Sequence, residues 1–390
     1  MMRGMGTTGL ERALAALQPF LRVVQELGPL ANDPQACDFL AGNPEQPALP
    51  GYVETLQKWA VPVHRRWFAY GLSDSRARGA AAAALSQELG LAFEPEDILL
   101  TRGAHGALAL ALRMVVEPGD EVVFVSPPWF FYEAMILGAA GTPVRVRVEP
   151  TTFDLDVDAI AAALTPRTRV VLINTPNNPT GRIYPPTTLE RLADALRRHA
   201  GSSERPVYLL SDESYSKVRF DGHRMVSPAS FYDHTLVVHT YSKSALAPAQ
   251  RLGYLALPSS MPDRARLRQM AMVAALATGN AMPDAIMQYA LPDIERIILD
   301  LDRLQRRRDR MLRALRSMGY DVHTPEGTFY LLPRCPGLDD WAFARTLARE
   351  KVLVLPGQVV ELPGYFRISL TGTDDMVERS LPVFERAIRG

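Results

Sequence analysis

The chain of 390 residues carries only two cysteines, Cys37 and Cys335. Two thiols cannot build a disulfide framework or a structural zinc site, so a reducing, cytoplasmic setting is expected. Neither sign of charge is in excess. Lys and Arg number 43, Asp and Glu 43, and the formal net charge is zero. That balance argues against a dedicated nucleic-acid binder, which needs a basic face. No apolar run approaches the roughly 20 residues of a bilayer span, so no membrane association is expected. The N-terminus lacks the charged, apolar, small order of an export signal. Seven histidines are scattered without metal-ligand spacing, so no metal site is expected. Internal repeats and low-complexity tracts are missing as well. What is present, 47% hydrophobic and 22% charged residues, is the make-up of a globular protein with at least one large core. Its length suggests two or so domains.

Residues 8–28 read as an amphipathic helix. Thr8 and Glu11 have capping-box spacing. Leu10, Leu14, Leu17, Leu21, Val24 and Leu27 recur at steps of three and four and should share the buried face. Such a helix is expected to pack on a smaller domain or a partner subunit rather than on a membrane surface. A loop follows from Gly42-Asn43-Pro44 to Pro50-Gly51. Strands and helices then alternate. Strands are expected at 97–101, 121–125, 169–173, 207–211, 236–239 and 253–257, and helices at 80–89, 103–116 and 189–199. The strands are short and almost wholly apolar, as strands buried on both faces of a largely parallel sheet are. A long charged helix is expected from about Pro283 to Arg316, with Arg303 and Arg306 to Arg308 on its solvated face. The domain reading is an N-terminal helix and arm, 1–45, belonging to a small domain; a large domain, 46–285; and a C-terminal small domain, 286–390.

In open α/β sheets, ligands sit beyond the carboxyl ends of the strands. Five strand ends carry chemistry here: Thr101-Arg102-Gly103-Ala104-His105, Ser126-Pro127-Pro128-Trp129, Asn174-Thr-Pro-Asn-Asn-Pro-Thr-Gly181, Ser211-Asp212-Glu213-Ser214-Tyr215 and Thr240-Tyr241-Ser242-Lys243. Each alone is ordinary. A lone lysine is usually solvated, a strand-end aspartate often caps a helix, and a tryptophan is usually core. Their order and shared edge are what make one composite site the economical reading.

Three motifs, Asn177-Asn178-Pro179-Thr180-Gly181, Asp212-Glu213-x-Tyr215, and Ser242-Lys243 followed by Arg251-Leu252-Gly253-Tyr254, make the chain resemble the class I and II aminotransferases. The resemblance runs from Gly42 to the region of Arg367. It implies an α/β protein of fold type I: a large domain with a mostly parallel seven-stranded sheet between helices, plus a smaller α+β domain. It further implies a homodimer with shared active sites and pyridoxal 5'-phosphate as cofactor, held as a Schiff base by Lys243. A lysine suits both imine formation and the carriage of a substrate's α-proton.

The remaining roles come from the same resemblance. Asp212 would keep the cofactor's pyridine nitrogen protonated. Tyr215 and Asn178 would hydrogen-bond its phenolic oxygen, and Trp129 would lie over the ring. The backbone N–H groups of Ala104 and His105, with Thr240, Ser242 and Arg251, would hold the phosphate. Arg367, in Tyr365-Phe-Arg-Ile-Ser369, would clamp the substrate's α-carboxylate, which Asn178 would share. Gly42 matches a loop closing over the substrate, Gly327-Thr328-Phe329-Tyr330 a loop near it, and Tyr70 a residue reaching the neighbouring subunit's phosphate.

The sequence departs from the family in three places. Thr240 stands where Gly or Ser is usual. The segment after Tyr70 lacks the usual Gly and Leu-Arg pair. His105 replaces the lysine by which an aspartate-selective subfamily reads a distal carboxylate. Phe130, Phe131 and Tyr330 would instead favour an apolar or aromatic substrate side chain. The expected function is amino-group transfer between an L-amino acid and a 2-oxo acid by a ping-pong cycle. The rivals are a lyase or other carbanion chemistry at the same site, and a non-catalytic ligand sensor. The sensor would need a basic DNA-binding module, which the sequence does not offer.

Overall fold

The computed structural model describes residues 8–71, 73–201, 205–280 and 283–389. The first seven residues, on which the export-signal reading rests, lie outside them. The central sheet has seven strands: β1 (Ile98–Thr101), β2 (Glu121–Ser126), β3 (Thr142–Arg147), β4 (Thr168–Asn174), β5 (Tyr208–Asp212), β6 (Thr235–Thr240) and β7 (Gly253–Ala256). Their spatial order is β1-β7-β6-β5-β4-β2-β3. Only β7 runs against its neighbours, β1 and β6; every other adjacent pair is parallel.

Successive side chains of a strand point to opposite faces. Val122 and Phe124 of β2 therefore enter one core, and Val123 and Val125 enter another. In β4, Val170 and Leu172 divide from Val171 and Ile173 in the same way. Both faces are covered by helices, among them Gly103–Val115 and Pro186–Ala200. This is why the sequence shows apolar runs instead of polar alternation. Strand β3 breaks the pattern. As the sheet edge it leaves Thr142, Arg145 and Arg147 exposed, and so it carries no apolar run for a sequence reading to find.

A second, smaller layer gathers the chain ends. Strands β8 (Tyr330–Leu331), β9 (Leu355–Pro356) and β10 (Phe366–Ser369) pair antiparallel in the order β9-β10-β8. Cys37–Asp38 pairs in parallel with Val352–Leu353. One continuous core joins these strands to the helices Leu301–Met318, Asp340–Arg349 and Asp374–Arg389 and to Val23 and Leu27.

Two expectations are corrected. The long charged helix is two helices, Ala285–Ile294 and Leu301–Met318, the second started by Asp300, whose side chain accepts from the Arg303 N–H. Arg307 and Arg308 are not solvated. Arg307 pairs with Asp374 at 2.7 Å and donates to the Leu370 carbonyl, and Arg308 pairs with Asp221. An arginine can enter a core when its charge is paired and most of its donors are met in this way.

The N-terminal helix α1 (Gly9–Glu26) has the expected capping box at Thr8 and Glu11, but its buried face is turned by about one residue, roughly 100°. Ala13, Val23 and Leu27 are buried, while Leu10, Leu14 and Val24 are exposed. The helix lies against the helix Tyr132–Gly138. A Cβ on Gly9 would come 3.3 Å from the Leu137 carbonyl oxygen. Small residues permit that approach, and Leu10 and Leu14 are left on the outer side.

Candidate functional site

The carboxyl edge of the sheet opens into a cavity of about 300 Å³. Strand β6 ends at Thr240, whose side chain accepts from the Ser242 N–H and starts a single helical turn, Tyr241–Ser244. That turn carries Lys243 over the cavity. Its Nζ lies 5.7 Å from the centre of the Tyr215 ring and 5.6 Å from that of Phe329.

Beside it the helix Gly103–Val115 begins with no side-chain cap. The first N–H groups of a helix have no partner within the helix, and its dipole favours an anion there. Arg251 lies over this end, with Nη1 donating to the Ser242 Oγ (3.0 Å) and to the Pro248 carbonyl (2.6 Å). Gly103 has φ +74°, and a Cβ there would fall 2.7 Å from Arg251 Nη2. Only glycine leaves both the turn and the arginine in place. His105 is held below its ordinary pKa, first by burial among neighbouring groups and then by the Arg251 charge.

The Asn177–Gly181 motif is largely a scaffold. The Asn177 Oδ1 accepts from the Thr180 N–H and Oγ, and the Gly181 N–H donates to the Asn177 carbonyl. A Cβ on Gly181 would meet Pro325 at 2.2 Å, and its carbonyl accepts from the Glu326 and Gly327 N–H groups. The motif thus clamps the loop that leads to Tyr330. Asn174 completes the frame, accepting from the Asn178 N–H at 2.7 Å and donating to the Asp212 carbonyl at 2.8 Å.

Asp212 is buried at the end of β5. Its carboxylate accepts from the Tyr132 hydroxyl (2.6 Å) and from the Ser214 Oγ and N–H. Burial pushes its pKa up; these hydrogen bonds and the Lys243 charge oppose that. Tyr215 donates its hydroxyl to Tyr330 at 3.1 Å. Burial and the neighbouring Tyr330 hold the Tyr215 hydroxyl well above its ordinary pKa. Burial also acts to raise Tyr330, but the charges of Lys243 and Arg367 outweigh it and leave that phenol lowered.

Arg367, on β10, is 3% exposed. Nη1 donates to the Asn178 Oδ1 and Nη2 to the Leu40 carbonyl, both at 2.9 Å, and Nε has no partner among the described residues. The guanidinium lies 4.1 Å from the centre of the Tyr330 ring. The Gly42 loop is tied to the same strand, with the Ser369 N–H donating to the Phe39 carbonyl. A Cβ on Gly42 would stand 2.6 Å from the Tyr330 hydroxyl and 3.3 Å from Lys243 Nζ.

The cavity therefore brings together Gly42, Ala104, His105, Trp129, Asn178, Asp212, Tyr215, Thr240, Ser242, Lys243, Arg251 and Arg367. Tyr70 is not among them; it is 93% exposed and lines a separate surface hollow with Phe68 and Tyr289. Two lining or supporting residues had no sequence signal. Tyr132 reaches Asp212 only because the helix after Trp129 turns it inward. Phe20 enters the lining from α1, although the leucine periodicity did not single it out.

Residues 39–383 match the family model for aminotransferases of class I and II. The chain belongs to that family. An aspartate/prephenate aminotransferase of Thermus thermophilus is 30% identical, covering 97% of this aminotransferase and 99% of the relative. One from Cereibacter sphaeroides is 31% identical, covering 87% and 88%. Among solved structures, an amino transferase of Eubacterium rectale superimposes with a TM-score of 0.86 at 27% identity, covering 97% of this chain and 95% of that one. Among the described residues no helix of the aminotransferase is long and apolar enough to cross a membrane.

The family implies pyridoxal phosphate, and the charges of the cavity fit it. Among the described residues Arg251 has no carboxylate partner and Asp212 no cationic hydrogen-bond partner, although Asp212 is wholly buried. An anionic phosphate at the uncapped helix end and a protonated ring nitrogen at Asp212 would supply the missing opposite charges.

Proposed function

We propose that the aminotransferase moves the amino group of an L-amino acid to a 2-oxo acid by a ping-pong cycle, with pyridoxal phosphate bound at Lys243. The observation that carries this reading is the convergence of Lys243, Asp212, Arg251 and Arg367, from four separate segments, on one cavity. When bound, the cofactor supplies the aldehyde that accepts the amino group and a ring that draws electrons from the substrate's α-carbon.

The residues divide the remaining work. Lys243 Nζ holds the cofactor between cycles and carries the α-proton during them. Asp212, backed by Tyr132 and Ser214, keeps the ring nitrogen charged. The Asn178 amide, and Tyr215 once its hydroxyl turns from Tyr330, would donate to the phenolic oxygen, and Trp129 would lie over the ring. The Ala104 and His105 N–H groups, Thr240, Ser242 and Arg251 hold the phosphate. Arg367, steadied by Asn178, takes the α-carboxylate, and the Gly42 loop closes above. The large unit supplies the cofactor residues and the small unit supplies Arg367, so the site lies between 46–285 and 286–390. A homodimer is supported by exposed apolar side chains near Tyr70, namely Val61, Val63 and Phe68; Tyr70 would then serve the partner's phosphate.

The test follows cofactor absorbance while single amino acids are added to the holoenzyme. Transamination predicts conversion from the aldehyde form to the amine form and its reversal by a 2-oxo acid. Release of pyruvate or ammonia with no amine form would establish a lyase instead. Lys243→Ala should abolish the borohydride-fixable bond between protein and cofactor and nearly all turnover.

A further inference from the structure

One part of the cavity lining is built from rings. Phe20, delivered by α1, stacks on Phe130 with centroids 4.7 Å apart and planes 17° from parallel, and it meets Phe131 edge-on at 5.1 Å. Phe131 in turn meets Trp129 at 5.0 Å and His105 at 5.5 Å. Side chains from two distant segments of the chain thus form one apolar surface.

The cations lining the cavity are Lys243, Arg251, Arg367 and the His105 imidazole. Lys243 serves cofactor and proton, Arg251 the phosphate and Arg367 the α-carboxylate. His105 faces Trp129 edge-on at 5.4 Å and is held toward its neutral form by burial and by Arg251. Among the described residues of one subunit, no lining cation is left for a second carboxylate. A side-chain carboxylate set against these rings would lose its water without gaining a partner, whereas an aromatic ring would find edge and face contacts.

Resting on the transamination reading, we propose that the substrate is a monocarboxylic amino acid with an aromatic or large aliphatic side chain, and that Phe20 is a specificity-determining residue closing its subsite. Helix α1 is fixed for this task. The Arg22 guanidinium lies 4.0 Å from the centre of the Trp341 ring, and Val23 and Leu27 enter the small-layer core. The helix therefore ties the aromatic wall to the unit that carries Arg367. The aspartate-named relatives make the proposal a discriminating one.

The experiment has a binding arm and a turnover arm. Calorimetry on the holoenzyme compares 3-phenylpropionate with succinate. Single-turnover conversion of the cofactor compares L-phenylalanine, L-alanine and L-aspartate. Pocket discrimination of this kind spans about 10- to 200-fold, so 3-phenylpropionate should bind, and phenylalanine should react, about 100-fold better than the dicarboxylic counterpart. Phe20→Ala should lower both aromatic values by about 10-fold or more and leave alanine within about threefold; Phe20→Leu should restore most of the loss. Phe130→Ala, from the other segment, should reproduce the pattern. Equal or better binding and conversion of the dicarboxylic ligands overturns the proposal while leaving transamination intact. Equal losses for alanine and phenylalanine in both variants overturn the role of Phe20. If no donor converts the cofactor, transamination fails, and the calorimetric ranking still decides the aromatic subsite.

Discussion

Replacing Arg367 tests the division of labour at its most buried charge. Among the described residues its Nε has no partner, and its two terminal nitrogens donate to neutral acceptors, the Asn178 Oδ1 and the Leu40 carbonyl. A guanidinium 3% exposed with no carboxylate partner among the described residues costs the folded state energy, and a substrate carboxylate would recover it. Charge-assisted hydrogen bonds contribute about 1.5–3 kcal/mol each. Two of them to a carboxylate give about 3–6 kcal/mol, or about 10²–10⁴-fold in binding. Arg367→Ala should therefore lower kcat/KM by about 10²–10⁴-fold, mostly through KM, and weaken carboxylate inhibitors in parallel. Arg367→Lys keeps the charge but loses the planar fork, and should recover only part of the loss.

Stability should move little. Losing an unpaired buried charge relieves the fold, while the orphaned Leu40 and Asn178 oxygens cost about 1–3 kcal/mol. The two act in opposite directions, so Tm should stay within about 5 °C of the wild type. Steady-state kinetics and differential scanning calorimetry on the same preparations make the check. A KM within threefold of wild type together with a much lower Tm would show a structural arginine and refute the reasoning.

Two further predictions follow from other parts of the site. Gly42→Ala puts a methyl 2.6 Å from the Tyr330 hydroxyl and 3.3 Å from Lys243 Nζ, so turnover should fall about 10- to 100-fold with Tm little changed; unaltered kinetics would mean that the loop can retreat. Glu213 is wholly buried, and burial pushes its pKa up to about 8. In the unfolded chain it titrates near the ordinary 4.5, so between these values the folded state binds the extra proton. Stability from this group is complete below about pH 4.5 and is lost as pH rises toward 8. Glu213→Gln should flatten the decline of Tm from pH 5 to pH 8, and an unchanged slope would rule out a protonated Glu213 in the folded protein.

The sequence by itself determined much of this protein. Short apolar strands alternating with helices specify a sheet buried on both faces, because no other setting accommodates Val170 to Ile173 without a polar side. Strand-end loops rich in glycine, hydroxyls and charge located the cavity, because ligands in such sheets bind where the strands end. Distances in the sequence could not say what meets what. Asn178 and Arg367 are 189 residues apart and share a hydrogen bond, and that pairing depends on how the small layer docks on the sheet. The same docking brings Asp221 to Arg308, while packing within the small layer brings Asp374 to Arg307; sequence alone places both arginines in solvent.

Tertiary structure also decided the face of α1. Its leucine period predicted the buried side, but Gly9 and Ala13 allow a closer approach to the helix Tyr132–Gly138, and close packing there outweighs the burial of longer side chains. That choice turned Phe20 into the cavity. Tyr132 likewise became a partner of Asp212 through the geometry of one helix start. Local pattern, then, fixed where chemistry collects on this chain; the docking of layers and the contact of two helices fixed which side chains surround Lys243 and what they can admit.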